Sequence, residues 1–259
     1  MFQPAEEIGQ GAKPFIAAGV LDGAERVFGL HTAHDLRSGT VGLKPGLNNA
    51  AVDHFRIEVH GKSTHVSTPH LGVDALYIAS QIVVAVQGLV TRMTSPTEPV
   101  IIGIGCLNAG TTYNAVAEHA VMEGTTRTVS QESRDRIRRL VTETADSIAA
   151  IYGGTAEIVW TDFAAALIND AEVCREAAAV ADSLLGEGHV VTDRELSLSG
   201  DNFAEFELYR PGAYAYLGTG NPDKPHTVIS NHNGGFDVDE DALVTGAALY
   251  AGYALARLG

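Results

Sequence analysis

The chain has 259 residues, 45% of them hydrophobic and 19% charged, which is the balance of an ordinary globular protein with one large or two small domains. A formal net charge of −15 opposes contact with nucleic-acid phosphates, and no unbroken apolar run is long enough to cross a membrane. Glu6 and Glu7 stand where a signal peptide carries basic residues, so a cytoplasmic protein with neither nucleic acid nor membrane as partner is expected. The two cysteines, Cys106 and Cys174, lack partners at metal-ligand spacing and read as small buried apolar groups.

In chain order, Met1-Phe2-Gln3-Pro4-Ala5-Glu6-Glu7 reads as an extended, proline-braked run ending in two carboxylates. Residues 8–22 suggest a short helix, with Pro14 in its first turn and Gly19 and Gly23 near its end. Arg26 to His31 reads as a buried strand that ends in a histidine, and the glycine-rich stretch 38–46 as a loop or ragged strand. The texture then changes. His54 to His60 alternates, with Phe55, Ile57 and Val59 on one side, as in a half-exposed strand. Leu76, Ala79, Val83, Val86 and Val90 fall at helical spacing over 73–93. Strands follow at 100–106 and 120–129. Ser130 is an N-cap for a helix bearing Ile137, Leu140, Val141 and Ile148, and 155–160 is a further strand. Residues 50–162 therefore carry the order β-α-β-β-α-β, the split βαβ or ferredoxin-like pattern, with one sheet face free of helices. Beyond it, helices are expected at 171–185, 200–207 and 239–258, and a strand at 213–218. The simplest architecture is an α/β domain built from 1–49 and 163–259, interrupted by an α+β domain at 50–162.

Several residues in this framework suggest chemistry. In an extended segment Glu6 and Glu7 point to opposite faces, so they can divide labour: one binds a metal and the other serves as general base. A bare Glu-Glu, taken alone, is far more often an ordinary solvated pair. His31, ending an apolar strand, lies where α/β proteins place ligands, with His34 a weaker candidate. His65, among the small residues of Gly61-Lys62-Ser63-Thr64-His65, suits donation to a substrate oxyanion, while His60 and His70 read as surface residues. Asn114 and Arg127 are candidate grips for a carboxylate. His232, in Asn231-His232-Asn233-Gly234-Gly235-Phe236, offers an imidazole to a zinc-like ion.

Taken in order, Phe2-Gln3-Pro4-Ala5-Glu6-Glu7, Gly29-Leu30-His31, Gly61 to His65, Tyr113-Asn114, Arg127, and His232 with Phe236 and Asp239-Glu240 resemble the M20 family of metallopeptidases. The branch they resemble is the amidohydrolases that split N-acyl amino acids, such as hippurate and auxin-amino-acid hydrolases. The resemblance implies a zinc-peptidase-like catalytic α/β domain with an inserted ferredoxin-like lid and dimerisation domain. It makes Glu6 the general base, Glu7, His31 and His232 ligands to divalent ions (Zn, Mn, Co or Ni, two per site in the family), and His65 the oxyanion donor, reaching across a homodimer. Asn114 and Arg127 would hold the amino-acid end of the substrate. The chain departs from the family pattern at Gly200-Asp201-Asn202-Phe203, where Glu-Asp-Phe is usual, and at Asn233-Gly234, where Ser-Pro is usual.

Family members also carry strands and a Cys-Gly-His-Asp type motif ahead of the glutamate pair, so the resemblance implies a catalytic domain truncated at the front. Three protein ligands then hold one ion in an open site, or none, rather than a bridged pair. The expected activity is hydrolysis of the amide of an N-acyl amino acid by a metal-activated water. The alternative expectation is a non-catalytic dimerising or ligand-binding remnant, or one half of a split enzyme.

Overall fold

The computed structural model describes residues 3–258, so Met1 and Phe2 of the opening motif lie outside the described residues. The chain divides into two compact units, one comprising the described part of Met1–Asn49 with Leu167–Ser197 and Asp201–Gly259, the other Ala50–Ala166 with Leu198–Gly200.

The first unit is built on strands β1 (Val27–Arg37), β2 (Val41–Gly42), β9 (Val190–Val191) and β10 (Gly212–Gly220), ordered β1-β10-β2-β9. β1 and β10 run parallel. Two short strands, β3 (Gly46–Asn49) and β8 (Leu167–Asn169), form a separate antiparallel pair. β1 outruns the expected strand: pairing with β10 continues through Ala33 and resumes at Arg37 after an irregularity, so His31 sits within the strand and not at its end. Phe28 and Leu30 face the core formed by Val173, Ala177 and Ala181 of α4 (Ala171–Leu185) and Leu249 and Tyr253 of α6 (Asp241–Leu258). Gly29 and His31 face the other way, because neighbouring strand residues alternate.

The expected helix over 8–22 is reduced to α1 (Ala12–Ala17), preceded by a 3-10 turn at Glu6–Ile8. Left-handed Gly9 separates the two and left-handed Gly19 follows α1, each at φ values that glycine adopts without a steric penalty. At the chain's other end, α6 starts at Asp241 and not at Asp239. Asp239 is buried and accepts from Lys224 Nζ at 2.6 Å and Asn221 Nδ2 at 2.8 Å, clamping the preceding loop; the lysine and then the amide hold its carboxyl down to about 2.

The second unit has the β-α-β-β-α-β order read from periodicity: β4 (Ala51–His60), α2 (Ala75–Met93), β5 (Ile101–Ala109), β6 (His119–Thr128), α3 (Gln131–Ile151) and β7 (Thr155–Ala164). Its sheet is antiparallel throughout, ordered β5-β6-β4-β7. Phe55, Ile57 and Val59 of β4 and Ala120 and Met122 of β6 meet Ile78, Ile82 and Val86 of α2 and Ile137 and Val141 of α3 in one core. Asp74 and Ser130 cap the two helices, each accepting from first-turn amides. By length and composition α2 is apolar enough to cross a membrane, although Ser80, Gln81, Gln87, Thr91 and Arg92 interrupt its apolar run; in this unit its buried face lies on the sheet core. A deeply buried ion pair, Asp53 with Arg134 Nε at 2.9 and 3.1 Å, ties α3 to β4.

Cys174 is buried, and burial pushes its thiol up to about 11. Cys106 is exposed, contrary to expectation. A register shift between Ile104 and Cys106 places Cys106 opposite Glu123, on the helix-free face of edge strand β5.

Candidate active site

The glutamates do not lie on an extended segment. Ala5 adopts φ 58°, and the chain turns at once into the 3-10 turn holding Glu6 and Glu7. The two side chains are therefore separated by a tight helical turn and not by strand alternation. Glu6 is partly buried and Glu7 is exposed.

Glu6 belongs to an acidic and aromatic cluster on the face of β1 and β10 opposite α4 and α6. Burial, and then the charge of Asp201, raise its carboxyl above the ordinary value; a backbone hydrogen bond from Asn202 and the nearby His31 oppose the rise, and Glu7 adds to it. Asp201 and Asn202 are themselves fixed. Tyr214 of β10 donates its hydroxyl to Asp201, and Gln3 Nε2 donates to Asn202 Oδ1 at 2.7 Å. The buried Tyr214 hydroxyl is raised well above its usual range, first by burial and then by the Asp201 charge. Gly29 makes the arrangement possible: a Cβ there would lie 2.8 Å from the Phe203 ring, so only glycine lets the segment after Asp201 close onto β1.

His31 lies opposite Tyr216 in the β1–β10 register, its ring 6.2 Å from that of Tyr214 and 6.3 Å from that of Tyr216. Its Nδ1 is 2.7 Å from the Thr32 carbonyl oxygen and so donates there. In the neutral ring this leaves Nε2 with its lone pair free, as a metal ligand requires. His232 is exposed in the loop after β10, in the left-handed region at φ 63°, and its neighbour Asn231 meets His34 Nδ1 at 3.3 Å. Because β10 runs parallel to β1, that loop leaves from the same end of the sheet towards which β1 runs.

The donor set of Glu7, His31 and His232 is of the kind that holds zinc-like ions, and the crowding of Glu6 with the Asp201 and Glu7 charges is the electrostatic setting that a cation relieves. Asn202 Nδ2 is buried without a hydrogen-bond acceptor, a further mark of a polar site. Among the described residues, however, the three donors that lie within 4.8 Å of one another are Glu58, His60 and His119, in the second unit. Asp201, Asn202 and Tyr214 were not singled out by the sequence. The available signal was the Asp201-Asn202-Phe203 run standing where the family has Glu-Asp-Phe; nothing local marks Tyr214.

In the second unit, His65 and Asn114 come together. Residues 61–73 fold against 110–117 through a bridge between His65 and Ala115 and amide bonds from Val66 to Asn114 O (3.1 Å) and Val116 to Thr64 O (2.8 Å). His65 is exposed, with Nδ1 2.7 Å from Ser67 Oγ, and Asn114 accepts from Thr112 Oγ1 at 3.1 Å. Arg127 is not part of this tip. It lies near the far end of β6, opposite Val52 and Ile101, and donates to Thr125 Oγ1 and to the Thr126 carbonyl. Burial lowers its pKa, opposed by Asp53.

With this geometry in view, comparison with known proteins is informative. A family model described as peptidase family M20/M25/M40 matches residues 1–256. Thermostable carboxypeptidase 1 of Saccharolobus solfataricus is 37% identical over 97% of this chain and 63% of its own length. N-acetyl-L-cysteine deacetylase of Bacillus subtilis is 36% identical over 94% of this chain and 56% of its own. A solved dinuclear metal-binding M20 peptidase from Bacillus subtilis superposes with a TM-score of 0.79 at 32% identity, over 98% of this chain and 63% of that one. The chain thus spans less than two thirds of the length of these relatives. The family match runs through both units: the chain belongs to peptidase family M20/M25/M40.

Proposed function

We propose that the chain carries the catalytic base and part of the metal-binding set of an amidohydrolase acting on N-acyl amino acids. The observation that carries this reading is the Glu6 cluster: a partly buried carboxyl, raised by burial and by Asp201, beside a histidine whose Nε2 is free. A carboxyl raised in this way is a better proton acceptor than an ordinary one, as a general base requires. The names of relatives agree, since one deacetylates an N-acetyl amino acid and another is a carboxypeptidase.

Glu7, His31 and His232 would hold a divalent ion (Zn, Mn, Co or Ni), which when bound would supply carbonyl polarisation and a lowered pKa for a water. Glu6 takes the proton from the attacking water and delivers it to the leaving nitrogen. His65 donates to the oxygen on which negative charge develops. Asn114 and Arg127 hold the carboxylate of the amino-acid part, the guanidinium by its planar fork. The products are a carboxylic acid and a free amino acid. We assign residues 50–162 as a ferredoxin-like lid and dimerisation domain within a catalytic domain formed by 1–49 and 163–259. His65, Asn114 and Arg127 then act in a homodimer, the two ends of β6 serving different sites.

The test is turnover of a panel of N-acyl amino acids with added Mn, Co, Ni or Zn, together with metal content per chain. Glu6→Ala should lower turnover by about 10²–10⁴-fold and leave metal content unchanged. Undiminished turnover would refute the general-base assignment. Absence of turnover with every metal would favour a non-catalytic dimerising or ligand-binding protein, or one half of a split enzyme.

A further inference from the structure

We infer that Glu58, His60 and His119 form a second metal site in the second unit, one that takes an imidazole-preferring divalent ion such as Zn²⁺ and clamps the stem of the His65–Asn114 tip. Their ligand atoms all lie within 4.8 Å of one another. The strand geometry explains why. Phe55, Ile57 and Val59 of β4 point into the core, so Glu58 and His60 stand on the helix-free face. His60 is directly opposite His119 in the β4–β6 register. The Gly61 amide bonds to Glu118 O at 2.8 Å, which makes His60–His119 a non-hydrogen-bonded pair, the kind in which opposed side chains approach most closely. Their rings are 5.3 Å apart at 35°.

His119 Nε2 is 3.1 Å from Glu58 Oε2, close to the separation of two ligands on one tetrahedral ion with bonds of about 2.0–2.2 Å. Arg56 engages the other oxygen, Oε1, so the carboxylate presents Oε2 to the site while held in place. Two imidazoles and one carboxylate suit zinc, nickel or copper rather than magnesium or calcium. His119 is exposed, which leaves room for water to complete the coordination.

The position gives the ion a role. His60 immediately precedes the segment carrying His65, and His119 closely follows the segment carrying Asn114; these segments pair through the His65–Ala115 bridge. An ion shared between the two strands fixes them where the tip begins. The site is separate from Arg127, eight residues along β6 and so roughly 27 Å away. It does not rest on the amidohydrolase reading.

The experiment uses the whole chain as Glu7→Ala/His232→Ala, which removes two ligands of the proposed catalytic site, titrated with ZnCl₂. The expected result is one zinc per chain, with the ring ¹⁵N signals of His60 and His119 shifting together, and a rise in Tm. His60→Ala/His119→Ala in the same background should lose that equivalent and the Tm rise while its circular dichroism stays unchanged. Zinc uptake unaltered by the histidine changes, or no shift of the His60 and His119 signals, would overturn the proposal. Failure of turnover in Glu6→Ala, or in any catalytic test, leaves these readouts untouched.

Discussion

Glu207 makes the stability of the first unit depend on pH in a direction that can be worked out from its surroundings. Its Oε2 accepts from the Ile168 amide at 3.0 Å, while Oε1 is buried with no hydrogen-bond partner. Burial is the main cause that raises its carboxyl from 4.5 to about 7; the Ile168 amide opposes the rise, and the charges of Asp201 and then Asp170 add to it. The unfolded chain ionises near 4.5, so between that value and about 7 the folded state binds more protons. Stability from this group is therefore fully present at low pH and is lost as pH rises through 7. With ~1.4 kcal/mol per unit of pKa difference, the loss between pH 5 and pH 8 is about 2–3 kcal/mol. Glu207→Gln keeps the acceptor for Ile168 and removes the charge. Urea unfolding followed by circular dichroism at pH 5, 6, 7 and 8 should show the variant gaining about 2–3 kcal/mol over the wild type on going from pH 5 to pH 8. Comparing the two proteins cancels the pH dependence of every group not coupled to Glu207. A difference that stays flat across this range would refute the argument.

Gly29→Ala places a methyl 2.8 Å from the rigid Phe203 ring, so the ring and Asp201 must shift; a loss of about 1–3 kcal/mol in urea melts is expected, with reduced turnover at unchanged circular dichroism. Arg134→Ala leaves Asp53 buried without its main partner and should cost about 3–5 kcal/mol, seen as a lowered Tm and loss of amide-exchange protection in β4 and α3. A Tm unchanged by this substitution would mean that Arg138, 3.8 Å from the same carboxylate, suffices to neutralise it.

The element order of the second unit was legible because its strands and helices each bury one face, and the apolar periods of two and 3.6 survive in the sequence at Phe55-Ile57-Val59 and at Ile137-Val141. Ser130, just ahead of the Ile137-Val141 period, was legible as a cap, while Asp74 was seen as one only in the structure; both helix starts fell within a few residues of those read from the sequence. In the first unit the signal was weaker. Glycines broke the 8–22 helix into a turn and a short helix, and β1 ran past His31 because β10 supplied partners that lie nearly two hundred residues away in the chain. The exposure of Cys106 depended on a register shift that alternation does not encode.

The sequence by itself determined the family motifs and their order, since motif spacing is a local property. Only tertiary structure decided what surrounds them. Asp201 and Tyr214 meet Glu6 because β1 and β10 pair and Gly29 admits Phe203. His60 and His119 face each other because one register of an antiparallel pair sets them opposite. The protonation of Glu6 and of Glu207 depends on burial and on charges brought in from distant segments, and a carboxylate's own neighbours in sequence do not fix either.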